Sequence, residues 1–317
     1  MASVFHRLSS GAGFTSPHRT SISMSRHTTL FMPARVADIG TTMKVVSVPT
    51  SREDKQGLPA STIVLDETTG CVKAIVNAST LTALRTAAGS VLATRLLISK
   101  QPTNLVAFGA GKQIEAHIDL HLCGFPSLKQ CTIVNRALNS RLENLLASLC
   151  LSHPTVSFVV FSLNDTDKRN VENAVRQADI ICTATSATEP LFPSDWVSPG
   201  AHLNLVGSFT PNMREVDSEL IRRAERVVVD SRETCAVEAG ELITAGVSKE
   251  SIIEIGELVK VENGTFVPTA LCEAAKAVGS VTIFKSVGVG LQDVAIANLV
   301  VSRAEQLGMG TRIDSYY

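Results

Sequence analysis

The stretch NLVAFGAGKQIEAH, at residues 104–117, decides the fold of this chain. An apolar run at 105–108 ends in Gly109-Ala110-Gly111, and a helical pattern follows from Lys112. A strand, a glycine turn and a helix in this order form a phosphate site, because glycine lets the backbone approach a pyrophosphate and the helix start offers unpaired N–H groups. Ile114 occupies the third position of the G-x-G-x-x-G pattern, so the motif is incomplete. The alternative interpretation is an ordinary glycine turn between a strand and a helix.

Strand-like apolar segments recur after this stretch and alternate with helical patterns. The predicted strands are 104–108, 130–135, 156–161, 179–183, 201–206, 226–230 and 281–286, and the predicted helices are 112–123, 139–150, 168–177 and 217–224. Such alternation is typical of an α/β fold with a parallel sheet and right-handed crossovers. We therefore predict a doubly wound Rossmann domain over residues 104–290, which binds a dinucleotide.

The residues before 104 predict a second, smaller α+β domain. Its strand-like runs are 30–33, 43–48, 62–66 and 71–77, with a charged loop at 51–57, a hairpin turn at 67–70 and a long helix from Ser79. The last helical pattern, 291–307, follows the seventh predicted strand, and we expect it to return to this domain. The smaller domain is therefore predicted to be discontinuous, with residues 1–103 plus 291–317.

Composition excludes several classes of partner. A chain of 317 residues is long enough for one large or two modest domains. A net charge of −1, with 19% charged residues, gives no electrostatic basis for binding nucleic acid or an anionic membrane. No apolar run approaches the roughly 20 residues of a membrane span. The seven cysteines lack CxxC spacing, which indicates buried thiols in a reducing compartment rather than disulfides or a zinc site. We therefore predict a cytoplasmic protein without a metal.

The first 37 residues contain no Asp or Glu and are rich in Ser, Thr, Arg and His. This composition resembles a mitochondrial transit peptide. The competing interpretation, which we favour, is folded protein whose arginines are functional. It predicts that the chain stays in the cytosol at full length.

The second predicted strand of the Rossmann domain is followed by Asn135 and Arg136. Rossmann domains that prefer NAD usually place an acid here, where it accepts hydrogen bonds from the ribose 2′-OH. An amide and a guanidinium instead suit a 2′-phosphate. NADP(H) is therefore favoured over NAD(H), and a solvated arginine is the alternative.

Three cationic residues of the smaller domain are candidates for substrate binding or catalysis: Arg19, Lys44 and Arg85. Lys44 lies within the apolar run MKVV at 43–46, where a lysine either points to solvent, the commoner case, or faces a cleft. A cleft lysine can protonate a C=N or C=O group, and arginines hold a carboxylate through planar two-donor geometry. The residue pattern alone leaves both interpretations open.

Eight stretches of the sequence resemble the ornithine cyclodeaminase/mu-crystallin family, and they extend over nearly the whole chain. They are HRTSI at 18–22, LFMPAR at 30–35, MKVVSVP at 43–49, LTALRTAA at 81–88, FGAGKQ at 108–113, ADIICTATS at 178–186, HLNLVGSFTPNMREVD at 202–217 and IFKSVGVGLQD at 283–293. The family's arginine–lysine–arginine set falls on Arg19, Lys44 and Arg85. The resemblance implies that the two arginines hold a substrate carboxylate, that Lys44 is catalytic, and that the protein is a homodimer.

The motif and the resemblance together predict the residues of the site. The predicted cofactor-binding residues are Arg85, Gly109, Gly111, Lys112, Gln113, Asn135, Arg136, Thr185, Asn204, Leu205, Val206, Gly207 and Ser286. The predicted substrate-binding residues are Arg19, Lys44, Arg85, Phe209 and Val287.

Three features depart from the family. Cyclodeaminases carry an Asp two residues after the glycine of their N-A-V-G motif, where it handles the substrate amine, but Phe209 stands there in this chain. Met213 replaces the lysine found four residues later in that enzyme. Only 18 residues precede Arg19, fewer than is usual, so the chain is either naturally short or starts late in its gene model.

These residues indicate a reductive reaction. A phenyl ring can neither accept a proton nor pair with an ammonium group, so Phe209 disfavours ornithine. Reduction of an imine needs a hydride donor, a carboxylate anchor and a cation near the nitrogen. We therefore predict an NADP(H)-dependent reductase of a cyclic ketimine carboxylate, such as Δ1-pyrroline-2-carboxylate or Δ1-piperideine-2-carboxylate. The alternatives are ornithine cyclodeaminase, which forms proline and ammonia, and a non-catalytic NADPH- or ligand-binding protein.

Overall fold

The computed structural model describes residues 1–50, 57–164 and 166–313. Apart from Gly57, the charged loop predicted at 51–57 lies outside these ranges. The chain divides into two compact units. The Rossmann unit comprises Met1–Ser10 and Thr86–Gly288, and the second unit comprises Gly11–Arg85 and Val289–Tyr317. Within the described ranges, no helix combines the length and the apolar character needed to cross a bilayer.

The secondary structure is numbered in chain order. The helices are α1 Ala2–Ser10, α2 Ser79–Leu97, α3 Lys112–Gly124, α4 Ser140–Ser152, α5 Lys168–Gln177, α6 Ser218–Arg223, α7 Arg232–Glu238, α8 Gly240–Ala245, α9 Ala270–Ala277 and α10 Gly290–Leu307. Short 3-10 turns occupy Ser194–Trp196, Lys249–Ser251 and Ile255–Leu258. The strands are β1 Phe14–Thr15, β2 Thr20–Ser23, β3 His27–Val36, β4 Gly40–Pro49, β5 Ala60–Leu65, β6 Val72–Asn77, β7 Asn104–Phe108, β8 Gln130–Asn135, β9 Ser157–Ser162, β10 Ile180–Thr183, β11 His202–Leu205, β12 Val227–Val229, β13 Ile252–Glu254, β14 Val259–Glu262, β15 Thr265–Pro268 and β16 Thr282–Lys285.

The Rossmann unit is built on a parallel sheet of eight strands in the order β13-β12-β16-β11-β10-β7-β8-β9. The chain starts at β7, runs outward through β8 and β9, and then returns to β10 on the other side of β7. Ligands of doubly wound folds bind at the carboxyl edge of such a reversal. The reversal brings Phe108 beside Thr183, so the glycine turn and the residues after β10 lie at that edge.

Strand β7 shows why this segment is apolar at every position. Leu105 and Ala107 belong to a buried cluster that includes Ile114 of α3, whereas Val106 and Phe108 belong to a second cluster with residues of α5. Successive side chains of a strand point to opposite faces, so helices cover both faces of the sheet. This arrangement confirms the predicted doubly wound α/β fold.

Two buried histidines of α3 bind hydroxyl groups of α2 inside the Rossmann unit. His117 Nε2 lies 2.9 Å from Oγ of Ser90, and His121 Nε2 lies 3.0 Å from Oγ1 of Thr94. Each Nδ1 lies within 2.7 Å of the backbone carbonyl four residues earlier, which suits the neutral tautomer protonated at Nδ1. Burial lowers the pKa of His117 to about 4 and that of His121 to about 3.

The second unit carries an antiparallel sheet, β1-β3-β4-β5-β6, with β2 also paired to β3. The predicted hairpin between β5 and β6 is present, and Asp66 closes it by accepting hydrogen bonds from the backbone N–H groups of Thr68 and Thr69. Helix α10 packs on this sheet, where its Ala297 and Val301 are buried with Val64. The return of the last helix to the smaller sheet agrees with the sequence expectation.

Several elements differ from the sequence expectations. All seven predicted strands of the Rossmann sheet are present, but the sheet has an eighth, β13, whose three residues are too short to show a period. Helices α1, α7, α8 and α9 and the hairpin of β14 and β15 were not predicted either. The apolar positions of these short segments are too few to define a helical or strand repeat.

The two units also divide the chain differently from the predicted domain limits. Met1–Ser10 belongs to the Rossmann unit, because α1 buries Val4 and Phe5 and packs against Ile255–Leu258. The approach is close: a Cβ atom on Gly256 would lie 2.0 Å from the carbonyl oxygen of Phe5. Residues 86–103 also belong to this unit, with the boundary inside α2 after Arg85.

Candidate active site

The glycine turn after β7 has the backbone geometry that its sequence predicts. Gly109 has a φ of +120°, and its N–H donates to the carbonyl of Val134 at 2.8 Å. A Cβ atom at this position would lie 3.0 Å from the carbonyl oxygen of Ala184 and 3.1 Å from Cγ1 of Ile114. Ile114, which stands at the third glycine position of the motif, therefore packs directly under the turn. The incomplete motif still forms the tight turn.

The start of α3 is open to an anion. Gly111 precedes the helix in an extended conformation, and a Cβ atom on it would meet nothing within 4 Å. Among the described residues, no side chain caps this helix start. Lys112 is exposed, and Oε1 of Gln113 is buried without a hydrogen-bond partner in the described part of the chain. Unpaired helix N–H groups, a nearby lysine and open space match the requirements of a cofactor pyrophosphate.

The end of β8 carries the two residues expected to select the cofactor. Asn135 is half-buried and donates from Nδ2 to the carbonyl of Ala137 at 2.9 Å, and Arg136 is exposed. Both lie at the carboxyl edge of the sheet, two strands from β10. Their roles toward a 2′-phosphate stay predictions.

A buried carboxylate, Glu215, holds the loops after β10 and β11 together. It accepts hydrogen bonds from Oγ1 of Thr183 at 2.7 Å and from N and Oγ1 of Thr185 at 2.6 and 2.8 Å. It also accepts one from N of Gly207 at 2.7 Å. A Cβ atom on Gly207 would lie 2.2 Å from the carbonyl oxygen of Thr185, so this approach requires glycine. Two predicted cofactor residues, Thr185 and Gly207, are thus positioned by an acid that the sequence expectations did not include.

A second buried acid continues this network. Glu241 accepts a hydrogen bond from Oγ of Ser208 and another, at 3.0 Å, from the backbone N–H of Glu215. Lys285 donates from Nζ to the carbonyl and Oγ of Ser208 at 2.7 and 3.0 Å, and Nζ lies 3.5 Å from Oε2 of Glu241. Burial raises the pKa of Glu215, and the charge of Lys285 opposes this shift. Ser208, which directly precedes Phe209, is bound by both Glu241 and Lys285, so this network anchors the loop that carries Phe209.

A third acid, Asp230, orders the loop after β16. Its Oδ2 accepts hydrogen bonds from Oγ of Ser286 and from N of Gly288, both at 2.7 Å. The backbone N–H of Ser286 donates to the carbonyl of Leu205 at 3.0 Å. Val287, between these two fixed points, is half-buried. The predicted residue Ser286 is therefore present at the carboxyl edge with its hydroxyl bound to Asp230.

The predicted cofactor residues in and after β11 either lie in the core or take part in backbone hydrogen bonds. Asn204 is fully buried, and its Nδ2 donates to Oγ1 of Thr94 at 3.0 Å. Leu205 is fully buried as well, and Val206 donates its N–H to the carbonyl of Thr183 at 2.9 Å. The side chain of Asn204 is thus engaged with α2 inside the Rossmann unit, and its role toward a cofactor stays a prediction.

The second unit contains a buried cluster of charged residues around Lys44. Lys44 of β4 is 1% exposed, and its Nζ lies 2.7 Å from Oδ2 of Asp293 in α10. Arg85 of α2, 4% exposed, approaches Oδ1 of Asp293 with its Nε at 3.3 Å. It also donates from Nη1 to Oε1 of Gln292 at 2.9 Å, and Gln292 donates back to the carbonyl of Arg85 at 3.2 Å. Lys44 therefore does not point to solvent, which resolves the alternative that the sequence left open.

The cluster holds more positive than negative charge. Lys44 and Arg85 bring two positive charges, and Asp293 supplies one carboxylate. The pKa of Lys44 is lowered to about 8, mainly by burial and also by the charge of Arg85, whereas Asp293 opposes both effects. Arg19, half-buried just before β2, adds to the lowering through its charge. A buried excess of positive charge is unfavourable unless an anion compensates it, so this cluster is suited to binding an anionic ligand.

Five charged residues of these networks escaped the sequence expectations: Asp230, Glu215, Glu241, Lys285 and Asp293. A signal was available for some of them, since Asp230 and Lys285 follow or interrupt apolar runs, RVVVD at 226–230 and IFKSV at 283–287. A charge at the end of a buried strand has to find a partner. The identity of each partner depends on tertiary contacts and could not be read from spacing.

The chain is similar to known proteins over most of its length. The pattern that describes the ornithine cyclodeaminase/mu-crystallin family matches residues 1–308. The ketimine reductase mu-crystallin of Mus musculus is 32% identical over 294 residues, which cover 91% of this chain and 85% of that protein. The structure of Thermococcus litoralis Δ1-pyrroline-2-carboxylate reductase with NADH and L-proline is 25% identical, with a TM-score of 0.83 over 98% of this chain and 93% of that one.

An archaeal alanine dehydrogenase dimer with bound NAD has the same fold, with a TM-score of 0.80 at 21% identity over 99% of this chain and 92% of that one. The match to the family pattern and the identity to the mouse protein both extend over most of the sequence. The chain therefore belongs to the ornithine cyclodeaminase/mu-crystallin family.

Proposed function

We propose that this protein is an oxidoreductase that reduces a cyclic ketimine carboxylate to the corresponding cyclic amino acid with a nicotinamide cofactor. The observation that carries the proposal is the buried cluster of Lys44, Arg85 and Asp293, with two cations for one acid. A small anion with a C=N group satisfies both needs of this cluster, because its carboxylate balances the charge and its nitrogen can take a proton.

The residues of the Rossmann unit fit a nicotinamide dinucleotide. The open space above Gly111 and the unpartnered Oε1 of Gln113 accommodate a polar group at the start of α3. Thr185, Gly207 and Ser286 would line the nicotinamide half, held in place by Glu215 and Asp230. When bound, the reduced cofactor supplies the hydride that an imine carbon accepts.

The residues of the second unit bind and protonate the substrate in this proposal. Arg85, oriented by Gln292 and Asp293, holds the carboxylate, and Arg19 adds charge. Lys44 donates a proton to the ketimine nitrogen, which becomes the ring N–H of the product. With its pKa at about 8, Lys44 is largely protonated at neutral pH yet acidic enough to act as a general acid. Solvent restores its proton after each turnover.

Phe209 and Met213 favour reduction over deamination of ornithine. Ornithine enters as an amine that must first lose a proton, and cyclodeaminases use an acid where this chain has Phe209. Neither Phe209 nor Met213 can hold a second ammonium group, and an apolar surrounding disfavours a doubly cationic substrate. An imine carboxylate has an apolar ring instead.

We further propose that NADPH is preferred over NADH. The support is Asn135 and exposed Arg136 after β8, where an acid for the ribose 2′-OH would otherwise stand. Arg136→Ala should bind NADPH about 10- to 100-fold more weakly, the equivalent of 1.5–3 kcal/mol for a charge-assisted contact, and leave NADH unchanged. Arg226→Ala, an exposed arginine at the opposite edge of the same sheet, is the matched control. Equal affinity of the parent for both cofactors would contradict the preference.

A homodimer is proposed for the assembled protein. Ile75 of the edge strand β6 is 65% exposed and Ile22 of β2 is 56% exposed, both in the second unit. Exposed apolar side chains on an edge strand are typical of an interface. Light scattering should give a mass of two chains, and Ile75→Lys should weaken association, whereas Leu151→Lys on α4 should not. A monomeric parent protein would exclude this assembly.

We also propose a reducing compartment, the cytoplasm, for this protein. All seven cysteines are free, and four of them, Cys131, Cys182, Cys235 and Cys272, are buried. Disulfide-free chains with buried thiols are typical of such compartments. Fractionation of source cells, with detection of the full-length chain in the cytosolic fraction, tests this proposal.

Activity is tested by following oxidation of NADPH and NADH with Δ1-pyrroline-2-carboxylate and Δ1-piperideine-2-carboxylate, in parallel with ammonia release from ornithine. We expect ketimine-dependent oxidation and negligible ammonia. Lys44→Met should lower kcat by at least about 100-fold, the usual effect of losing a general acid. Lys73→Met, an exposed lysine of the same unit, is the control. Ammonia release from ornithine by the parent would refute the proposed direction, and cofactor binding without turnover would indicate a non-catalytic binding protein.

A further inference from the structure

Three side chains with metal-binding groups meet at the surface of the Rossmann unit, on α3 and at the end of α4. Asp119 and Cys123 lie one helical turn apart on α3, so their side chains project from the same face. His153 directly follows α4, and its backbone N–H donates to the carbonyl of Leu149, which ties the backbone of this residue to the end of the helix. The carboxylate, thiol and imidazole atoms all lie within 4.8 Å of one another.

The distances require little movement to surround one ion. His153 Nε2 lies 2.8 Å from Oδ1 of Asp119. In a tetrahedral zinc site, with bonds of about 2.0–2.3 Å, neighbouring ligand atoms are roughly 3.3–3.6 Å apart. Side-chain rotation would therefore have to separate Asp119 and His153 by less than about 1 Å and bring Cys123 closer by at most about 1.5 Å. The helices can stay where they are.

We propose that Asp119, Cys123 and His153 bind a divalent zinc ion. A thiolate, an imidazole and a carboxylate form a mixed ligand set that suits zinc, whereas magnesium and calcium prefer oxygen ligands alone. Cys123 is exposed and the Asp119 side chain is 42% exposed, so water can reach the ion and occupy a fourth position. Binding forms a zinc–sulfur bond and releases the thiol proton to solvent.

The alternative use of these residues is a cysteine nucleophile activated by a histidine, and the geometry disfavours it. A histidine that activates a cysteine has one ring nitrogen on an acid and the other on the thiol. His153 has its Nε2 on the Asp119 carboxylate, but among the described residues no hydrogen bond joins its ring to the Cys123 thiol. A metal ion instead displaces the thiol proton. Sequence spacing alone gave no indication of this site, because Cys123 and His153 are separated by a whole β-strand and a helix.

The consequence would be a cross-link between α3 and the end of α4. Helix α3 begins at the glycine turn, so an ion at its other end would fix the helix that carries the proposed pyrophosphate site. The inference does not depend on the proposed function, because metal binding is measured without substrate or cofactor.

Cobalt(II) titration of the purified, metal-stripped full-length protein tests the site. We expect one equivalent of Co2+ to produce a thiolate-to-cobalt charge-transfer band together with the visible bands of tetrahedral cobalt, and Zn2+ to displace it. Cys123→Ser should abolish the charge-transfer band. His153→Gln should weaken zinc affinity, measured by calorimetry, about 100-fold or more, since even outer partners of metal ligands contribute 10- to 100-fold. Cys150→Ser, an exposed cysteine on α4, should change neither reading.

Thermal unfolding gives a second reading that does not depend on cobalt. Zinc should raise the Tm of the parent and of Cys150→Ser but not the Tm of Cys123→Ser. The Tm values without metal show that each variant is folded. A charge-transfer band that survives in Cys123→Ser, or a parent protein that neither binds cobalt through sulfur nor gains stability with zinc, would overturn the proposal.

Discussion

Replacing Asp293 with asparagine should move the pH dependence of ketimine reduction toward acid. In the buried cluster, the Asp293 carboxylate lies 2.7 Å from Nζ of Lys44 and opposes the effects of burial and Arg85 on the pKa of that lysine, which is about 8. The proposed mechanism needs Lys44 in its protonated form. Activity should therefore be present below pH 8 in the parent and should fall as the pH rises through that value.

The size of the shift follows from the contact. An opposite charge within a few ångströms moves a pKa by about 1–3 units, so Asp293→Asn should lower the pKa of Lys44 from about 8 to between about 5 and 7. At pH 7.5 the protonated fraction would fall from about 75% to about 3% for the middle of this range, a loss of about 25-fold in kcat/KM. Below pH 5 the difference between parent and variant should shrink.

The assay is the pH profile of kcat/KM for one ketimine, measured for the parent, Asp293→Asn and Asp293→Glu. Titration of the substrate itself is common to all three profiles and cancels in their comparison. Asp293→Glu keeps the charge, so its alkaline limb should stay near that of the parent even if its rate is lower. An active Asp293→Asn variant whose alkaline limb coincides with that of the parent would refute the reasoning.

Three further predictions concern the Rossmann unit. Gly207→Ala should fold poorly, because its Cβ would lie 2.2 Å from a backbone carbonyl oxygen. Gly111→Ala should keep the parental Tm and lose cofactor affinity, since its Cβ points into open space. Equal Tm values for the two variants would contradict this contrast. Glu215→Gln should lower the free energy of unfolding by about 1.5–3 kcal/mol and weaken cofactor binding, because a neutral amide replaces a charged acceptor. Urea titration measures the first effect and fluorescence measures the second. Parental values in both assays would argue against this prediction. The pKa values of His117 and His121, about 4 and 3, lie below that of an unfolded histidine, so the unfolded state binds more protons. The free energy of unfolding should therefore decline as the pH falls below about 6.5. Urea midpoints between pH 7 and 5 measure this decline, which His121→Gln should flatten.

The Rossmann unit was largely predictable because its sheet is buried on both faces. Strand β7 is apolar at Leu105, Val106, Ala107 and Phe108, and such continuous runs bounded by glycine are informative without tertiary knowledge. The short helices around Ala239 were not predictable, because segments of six or seven residues show less than two helical turns.

For the candidate site, the sequence predicted residues but not their contacts, and the roles of those residues stay predictions. Lys44 and Arg85 were singled out by resemblance, but the composition could not tell whether Lys44 points to solvent or to a cleft. That choice depends on Asp293, which is 249 positions later in the chain and reaches Lys44 only when α10 packs on the sheet. Pairs separated by such distances leave no local periodicity in a single sequence.

The segment between Gly207 and Glu215 is a loop that buried acids hold at both of its ends. Its two ends bind each other through the Gly207 N–H and the Glu215 carboxylate, and Ser208 is bound to a second buried acid. Phe209 and Met213, where this chain departs from the cyclodeaminases, lie between these anchors in the sequence. A designer who changes the side chains of this loop should therefore leave the anchoring residues Gly207, Ser208 and Glu215 in place.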